Sequence, residues 1–185
     1  GPSAENLGEL LVNEKIKSET NEWFKKLEIP YQVEVKPSGN YYEIVFRPNN
    51  SKIQISSMHV GLGYPLILPF VVQCIIAKNK IILIEEPEVH LHPKLEADLA
   101  DLIVDSAINR DNQFLIETHS EEFLLRILKS IRKGILKPED VSVNYITLDK
   151  NGSKSNKINI NKFGQYFTPW KDNLFAERKR EFSNK

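Results

Sequence analysis

The stretch that most constrains this chain is Lys80-Ile-Ile-Leu-Ile-Glu-Glu-Pro-Glu-Val-His-Leu-His-Pro93. Four apolar residues, Ile81 to Ile84, run directly into Glu85 and Glu86. So short an uninterrupted apolar run predicts a strand buried on both faces, as in a parallel sheet. Open α/β sheets place ligands at the carboxyl ends of such strands. Two adjacent carboxylates there suit a division of labour. One holds a divalent metal, directly or through water, and the other orients or deprotonates a water. The plain alternative is an acidic, solvated strand end, and Glu85-Glu86 alone does not separate the two.

The segments around this stretch read as an alternating α/β pattern. Pro93 to Asn109 predicts an amphipathic helix with Leu95, Leu99, Leu102 and Ile103 on one face. A second apolar strand, Phe114 to Glu117, leads into Thr118-His119-Ser120. A helix from about Ser120 to Lys133 follows, with Phe123, Ile127, Leu128 and Ile131 inward. Thr118 and Glu121 have capping-box spacing, cations fill the last turn, and Gly134 ends the helix. Upstream, Gly61 and Gly63 open an apolar run from Tyr64 to Ala77, long enough for a buried helix. Glycines before a helix N-terminus let backbone N–H groups approach a phosphate, although Gly-x-Gly alone is equally a turn.

The flanks are simpler. Residues 4–28 predict two helical runs, the second starting near Ser18 and Thr20 and both ended by Pro30. Tyr31 to Val35, Tyr41 to Phe46 and Ser51 to Ser56 predict an antiparallel meander. Val141 to Leu148 and Ser155 to Ile160 predict a hairpin around Asp149-Lys-Asn-Gly-Ser. A tail from Gly164 is expected to end in a charged helix. At 185 residues this is one domain, or one with a small annex. Acids and bases balance at 25 each, so the whole-chain field gives no push toward nucleic acid or membrane. No segment reaches the roughly 18 apolar residues needed to span a bilayer. Cys74 permits no intrachain disulfide, which fits a cytoplasmic protein.

The run Ile-Leu-Ile-Glu-Glu-Pro-Glu-Val-His-Leu-His-Pro resembles the Walker B strand and D-loop of ABC-class ATPase heads, in their SMC, RecF and OLD-like branch. Gln113-Phe-Leu-Ile-Glu-Thr-His-Ser120 resembles the switch-histidine strand of that family. Val60-Gly-Leu-Gly-Tyr-Pro-Leu-Ile-Leu-Pro69 stands where the family keeps its signature loop and helix. Three motifs in the right order cover about residues 56 to 134, and Gly164 to Arg178 loosely resembles the ending of a small C-terminal domain attached to many such ATPases. The resemblance implies an α/β fold: a partial P-loop NTPase sheet with helices on both faces, preceded by a small antiparallel β meander. It implies domains over 1–55, 56–149 and 150–185. It implies ATP and Mg²⁺ as cofactors, with Glu85 holding Mg²⁺ through water and Glu86 orienting the attacking water. His119 would sense the γ-phosphate, and Gly61 and Gly63 would belong to the loop that reaches nucleotide on a partner subunit. The implied partners are a second copy, met through the signature loop and D-loop, and an N-terminal P-loop half. DNA or a nuclease is an effector that the family admits. Pro65 and Leu66 depart from the pattern, which has Ser-Gln there.

Other chemistries also draw on these residues. His90 and His92 with Glu88 form a weak zinc pattern, lacking cysteine and helical His spacing. A metal-dependent nuclease from Glu85, Glu86 and His119 lacks a further acidic cluster. No Gly-x-Ser-x-Gly marks a serine hydrolase. A non-catalytic interaction module that keeps the head fold is the main alternative. The weightiest absence is the phosphate loop: Gly-x-x-x-x-Gly-Lys-Ser/Thr occurs nowhere, and Gly152-Ser-Lys-Ser155 lacks its spacing. The sequence therefore reads as the C-terminal half of an ATPase head. Calorimetric titration of this chain with Mg²⁺ and a non-hydrolysable ATP analogue should give no binding tighter than about millimolar. Micromolar binding would mean a complete phosphate site and overturn the half-site reading.

Overall fold

The computed structural model describes residues 6–150 and 152–166. The expected C-terminal helix lies outside the described residues. The chain divides into two units, 1–123 and 124–185, described separately below.

The first unit opens with α1 (Leu7–Val12) and α2 (Glu14–Lys26). The second helix begins earlier than Ser18, because the Asn13 side chain accepts hydrogen bonds from the backbone N–H groups of Lys15 and Ile16. A three-stranded antiparallel sheet follows: β1 (Tyr31–Ser38), β2 (Tyr41–Pro48) and β3 (Ile55–Ser56), in that order. The third strand is shorter than expected, pairing only Ile55 with Phe46 and Ser56 with Val45. Asn21 of α2 covers the free edge of β1, accepting from Val33 N (2.7 Å) and donating to Val33 O (3.1 Å). Between helices and sheet lies a core of Leu7, Leu11, Phe24, Val33 and Phe46. Phe24 stacks on Phe46 at 6.4 Å, and Tyr31 meets Phe46 edge-on at 6.1 Å. The Arg47 guanidinium, 2.5 Å from Glu34, holds that carboxyl below its usual pKa range.

The remainder of the first unit carries the motifs. The apolar run becomes α3 (Gly63–Ile76), followed by β4 (Ile81–Glu85), α4 (Pro93–Arg110) and β5 (Gln113–Glu117). α3 packs on α2 and α4, with Ile67, Leu68, Val71, Val72 and Ile75 buried on one side and Leu99, Leu102 and Ile103 on the other. Cys74 is buried there; burial pushes its thiol up to about 12, so it is no nucleophile. β4 and β5 are parallel and in register, from Ile81 opposite Gln113 to Glu85 opposite Glu117. Their entry points are locked by Asn112, which is buried. Its Oδ1 accepts from Lys80 N, and its Nδ2 donates to Ala77 O and Ser106 Oγ. The Ser106 hydroxyl in turn donates to Cys74 O.

One expectation needs correction. β4 is covered on one face only, not two. Ile82 is 8% exposed, but Ile81 and Leu83 are 69% and 70% exposed, and Leu115 beside them is 65% exposed. Residues alternate across a strand, so Ile81, Leu83 and Glu85 share one face with Gln113, Leu115 and Glu117. Among the described residues nothing covers this face, and the parallel sheet has only two strands. The expected helices on both faces are therefore present on one.

The helix α5 (Glu121–Arg132) straddles the boundary between units. Its cap is a second correction: the Ser120 hydroxyl, not that of Thr118, accepts from Phe123 N (3.0 Å). Gly134 ends it at φ +71°, and Ile135 N bonds back to Ser130 O. The second unit adds the hairpin β6 (Val143–Asp149) and β7 (Gly152–Ile158), antiparallel as expected. Gly164, at φ +64°, passes so close to helix α5 that a Cβ there would fall 2.1 Å from Leu128 O.

Two substitutions test this packing. Leu99 is fully buried, so Leu99→Ala should cost about 2–5 kcal/mol in chemical denaturation. At Gly63 a Cβ would fall 2.7 Å from the carbonyl oxygen of His90 and 3.1 Å from Leu91. Gly63→Ala must push that backbone away, and should cost about 1–3 kcal/mol in the same assay. A neutral Gly63→Ala would show that the loop after β4 does not rest on α3.

Candidate functional site

The site begins with the register of two strands. Because β4 and β5 run parallel without offset, both end at the same level, with Glu85 and Glu117 side by side on the open face. The pairing continues one step further: Glu86 N donates to Glu117 O at 2.8 Å. Beyond that point the chain turns sharply. Glu86 adopts φ +43° and His90 φ +63°, both left-handed and both non-glycine. Such conformations cost about 1–3 kcal/mol each and persist only where the surroundings enforce them. Here two successive turns do so. Val89 N bonds to Glu86 O, with Pro87 supplying the fixed φ of the turn, and Leu91 N bonds to Glu88 O. His92 then caps α4, its Nδ1 accepting from Lys94 N at 3.2 Å, with Pro93 in the first helical turn.

The turn aims Glu86 at the end of β5. His119 Nε2 lies 3.3 Å from Glu86 Oε1, and both side chains reach solvent. A fourth carboxylate, Glu88, points the other way, into the loop after β5. Its Oε1 accepts from Thr118 Oγ1 (2.6 Å), His119 N (2.6 Å) and Ser120 N (3.1 Å). The Ser120 hydroxyl donates to Glu96 Oε2 of α4 at 2.6 Å. Beside the strand ends opens a cleft of about 650 Å³. Its walls are apolar on the α3 side, with Leu66, Ile67 and Phe70, and acidic at the strand ends, with Glu85, Glu86 and Glu117.

The structure places Glu86 within 3.3 Å of His119 and sets Glu85 beside Glu86 on the cleft wall. Gly63 is the first residue of α3 and lies against the His90 carbonyl, where an added Cβ would fall 2.7 Å from the oxygen. Gly61 sits just before that helix, its carbonyl accepting from Tyr64 N. Two further acids of the site had no place in the ATPase reading of the sequence, although Glu88 stood in the weak zinc pattern. Glu117 is the register partner of Glu85, which the parallel arrangement alone decides. Glu88 is engaged by three donors on a loop thirty or more positions away in the chain. The only sequence signal for it was a third acid directly after Pro87.

The donor set discriminates between chemistries. Glu85 and Glu117 offer hard carboxylate oxygens at an exposed strand end, which suits Mg²⁺, an ion that keeps most of its water. The zinc pattern loses two of its members, because Glu88 is committed to the loop after β5 and His92 to capping α4. Among the described residues no group of three or more His, Cys, Asp or Glu is placed to hold a metal. Among the described residues the ionisable groups lining the cleft are all acids, so these residues alone do not fit a triphosphate.

Several solved structures share this fold. One belongs to work on ATP-driven dimerization and DNA-stimulated activation of SMC ATPases. It is 15% identical, with TM-score 0.60, over 97% of this chain and 98% of that one. An Smc head bound to the C-terminal winged-helix domain of ScpA is 18% identical, with TM-score 0.61, over 80% of this chain and 44% of that one. An Smc head with coiled coil and joint derived from Pyrococcus yayanosii is 17% identical, with TM-score 0.57, over 78% and 27%. The chain spans less than half the length of these two heads. No curated relative matches it. Among the described residues no helix is long and apolar enough to cross a membrane. The sequence profile of the AAA ATPase domain matches residues 7–124, well over half of the chain, and the protein belongs to that family.

Proposed function

We propose that this chain supplies the acid-and-histidine half of a Mg²⁺-dependent ATPase site that works as a nucleotide-dependent dimer. The observation that carries the reading is the pair formed by Glu86 and His119, 3.3 Å apart at the ends of adjacent parallel strands. Glu86 is placed to orient a water and accept its proton, and the His119 imidazole stands within reach of the same oxygen. Glu85 would hold Mg²⁺ through water, beside Glu117. The ion, when bound, neutralises phosphate charge next to a wall that is otherwise acidic. Both glycines belong to the loop that approaches nucleotide across the dimer, although Gly63 also serves the packing described above.

The missing phosphate cradle comes, in this reading, from a P-loop-bearing segment elsewhere in the protein or on another chain. Support comes from the open face of β4 and β5. Parallel sheets are ordinarily buried on both sides, and Ile81, Leu83 and Leu115 present an apolar surface for further strands and helices. The similar structure from work on ATP-driven dimerization and DNA-stimulated activation makes a second copy and DNA the first partners to test. A nuclease partner remains an effector of the family type.

A specific observation favours a second reading, a non-catalytic interaction module. Pro65 and Leu66 replace the polar residues of the signature pattern, and Leu66 is half exposed. Glu86→Gln distinguishes the readings in the protein assembled with its P-loop-bearing segment. An ATPase should lose turnover by about 10²-fold or more while retaining nucleotide, measured by phosphate release and filter binding. A module that only binds partners would show no turnover to lose and no trapped nucleotide.

A further inference from the structure

Glu88 does not face the cleft, yet it ties the two loops that carry Glu86 and His119. One of its oxygens receives all three donors from Thr118, His119 and Ser120. The other is buried and accepts no hydrogen bond from the described residues. A solvated surface acid has neither feature. Charge-assisted bonds of this kind are shorter and about twice as strong as neutral ones, and two of them fall on backbone N–H groups, so they fix the main chain of the loop itself.

The geometry closes a ring. Glu86 N is bonded to Glu117 O, the backbone turn joins Glu86 to Val89, and Glu88 reaches across to the His119 amide. His119 exposes 75% of its side chain, so little packing holds the ring in place. Its aim toward Glu86 depends on where its backbone stands. We infer that Glu88 is the positioning residue of this site: it holds the 118–120 backbone so that the His119 imidazole stays opposite Glu86. It thereby makes the loop after β4 and the loop after β5 move as one. This inference rests on the ATPase reading, in which His119 acts on nucleotide.

The test is a kinetic cycle in the nucleotide-hydrolysing assembly. Glu88→Ala should lower kcat for ATP roughly ten- to a hundred-fold, as a misplaced group does, with KM changed by less than about three-fold. Glu88→Gln, which keeps an acceptor oxygen, should recover most of the loss. In a His119→Ala background Glu88→Ala should cost less than about two-fold further, because its action passes through that side chain. Independent, multiplying losses overturn the positioning role while leaving the ATPase reading intact. Turnover that survives both His119→Ala and Glu86→Gln overturns the ATPase reading instead. Where Glu88→Ala does not fold, Thr118→Val removes one donor and enters the same cycle, with a loss of about three-fold expected. Amide exchange on the 185-residue chain gives a readout free of activity. The His119 and Ser120 amides should be protected in the wild type and in Glu88→Gln and should exchange rapidly in Glu88→Ala. Rapid exchange of the His119 amide in the wild type overturns the inference whatever the kinetics show.

Discussion

The in-register parallel pairing of β4 and β5 is the constraint on which the site depends. A parallel pair needs a crossover, and α4 provides it, packed on α3 through Leu99, Leu102 and Ile103. Asn112 fixes the start of both strands through bonds to Lys80, Ala77 and Ser106. With the starts aligned and the lengths equal, the ends align too. Glu85 and Glu117 then stand together, and the loops that follow emerge side by side. An offset of one residue would turn Glu85 to the covered face and separate Glu86 from His119.

The loop after β4 has a shape that its residues do not favour individually. Glu86 and His90 are left-handed, a region that costs non-glycine residues free energy. What offsets it is a set of specific contacts. The two turns, the cap at His92, the Glu88 bonds and the close seat of the His90 carbonyl on Gly63 all act on this loop. The glycine expected to face phosphate therefore has a local structural reason to be there. The residue that opens α3 and the loop after β4 are thus in contact within one chain.

The open face of the parallel pair links fold to function. Burying an exposed Ile or Leu side chain contributes about 1.5–3 kcal/mol, so leaving Ile81, Leu83 and Leu115 in water forgoes several kcal/mol. The acidic cleft lies at the end of the same pair, and among the described residues no cation lines it to meet phosphate. One complementary segment, carrying apolar strands and a basic phosphate loop, would meet both needs. That economy is the physical basis for reading the chain as part of a divided site.

Much of this was legible in the residues. The apolar run of Ile81 to Ile84, the amphipathic pattern of α4 and the second apolar strand each reflect local period and length, which short-range physics dictates. Glu85, Glu86 and His119 were singled out in the sequence because they stand at or just beyond the ends of those strands. The cover of β4 was misjudged because an apolar run shows that a face prefers burial, not that something buries it. The cap of α5 was misassigned because the spacing of Thr118 and Glu121 is local, while the Thr118 hydroxyl is drawn to Glu88 from a distant loop. By itself, then, the sequence determined which segments are strands and helices and which acids end them. Only the tertiary structure decided that Glu117 pairs with Glu85, that Gly63 seats a carbonyl and that Glu88 holds the His119 backbone. Those contacts join residues far apart in the chain, and no periodicity or spacing encodes which distant groups will meet.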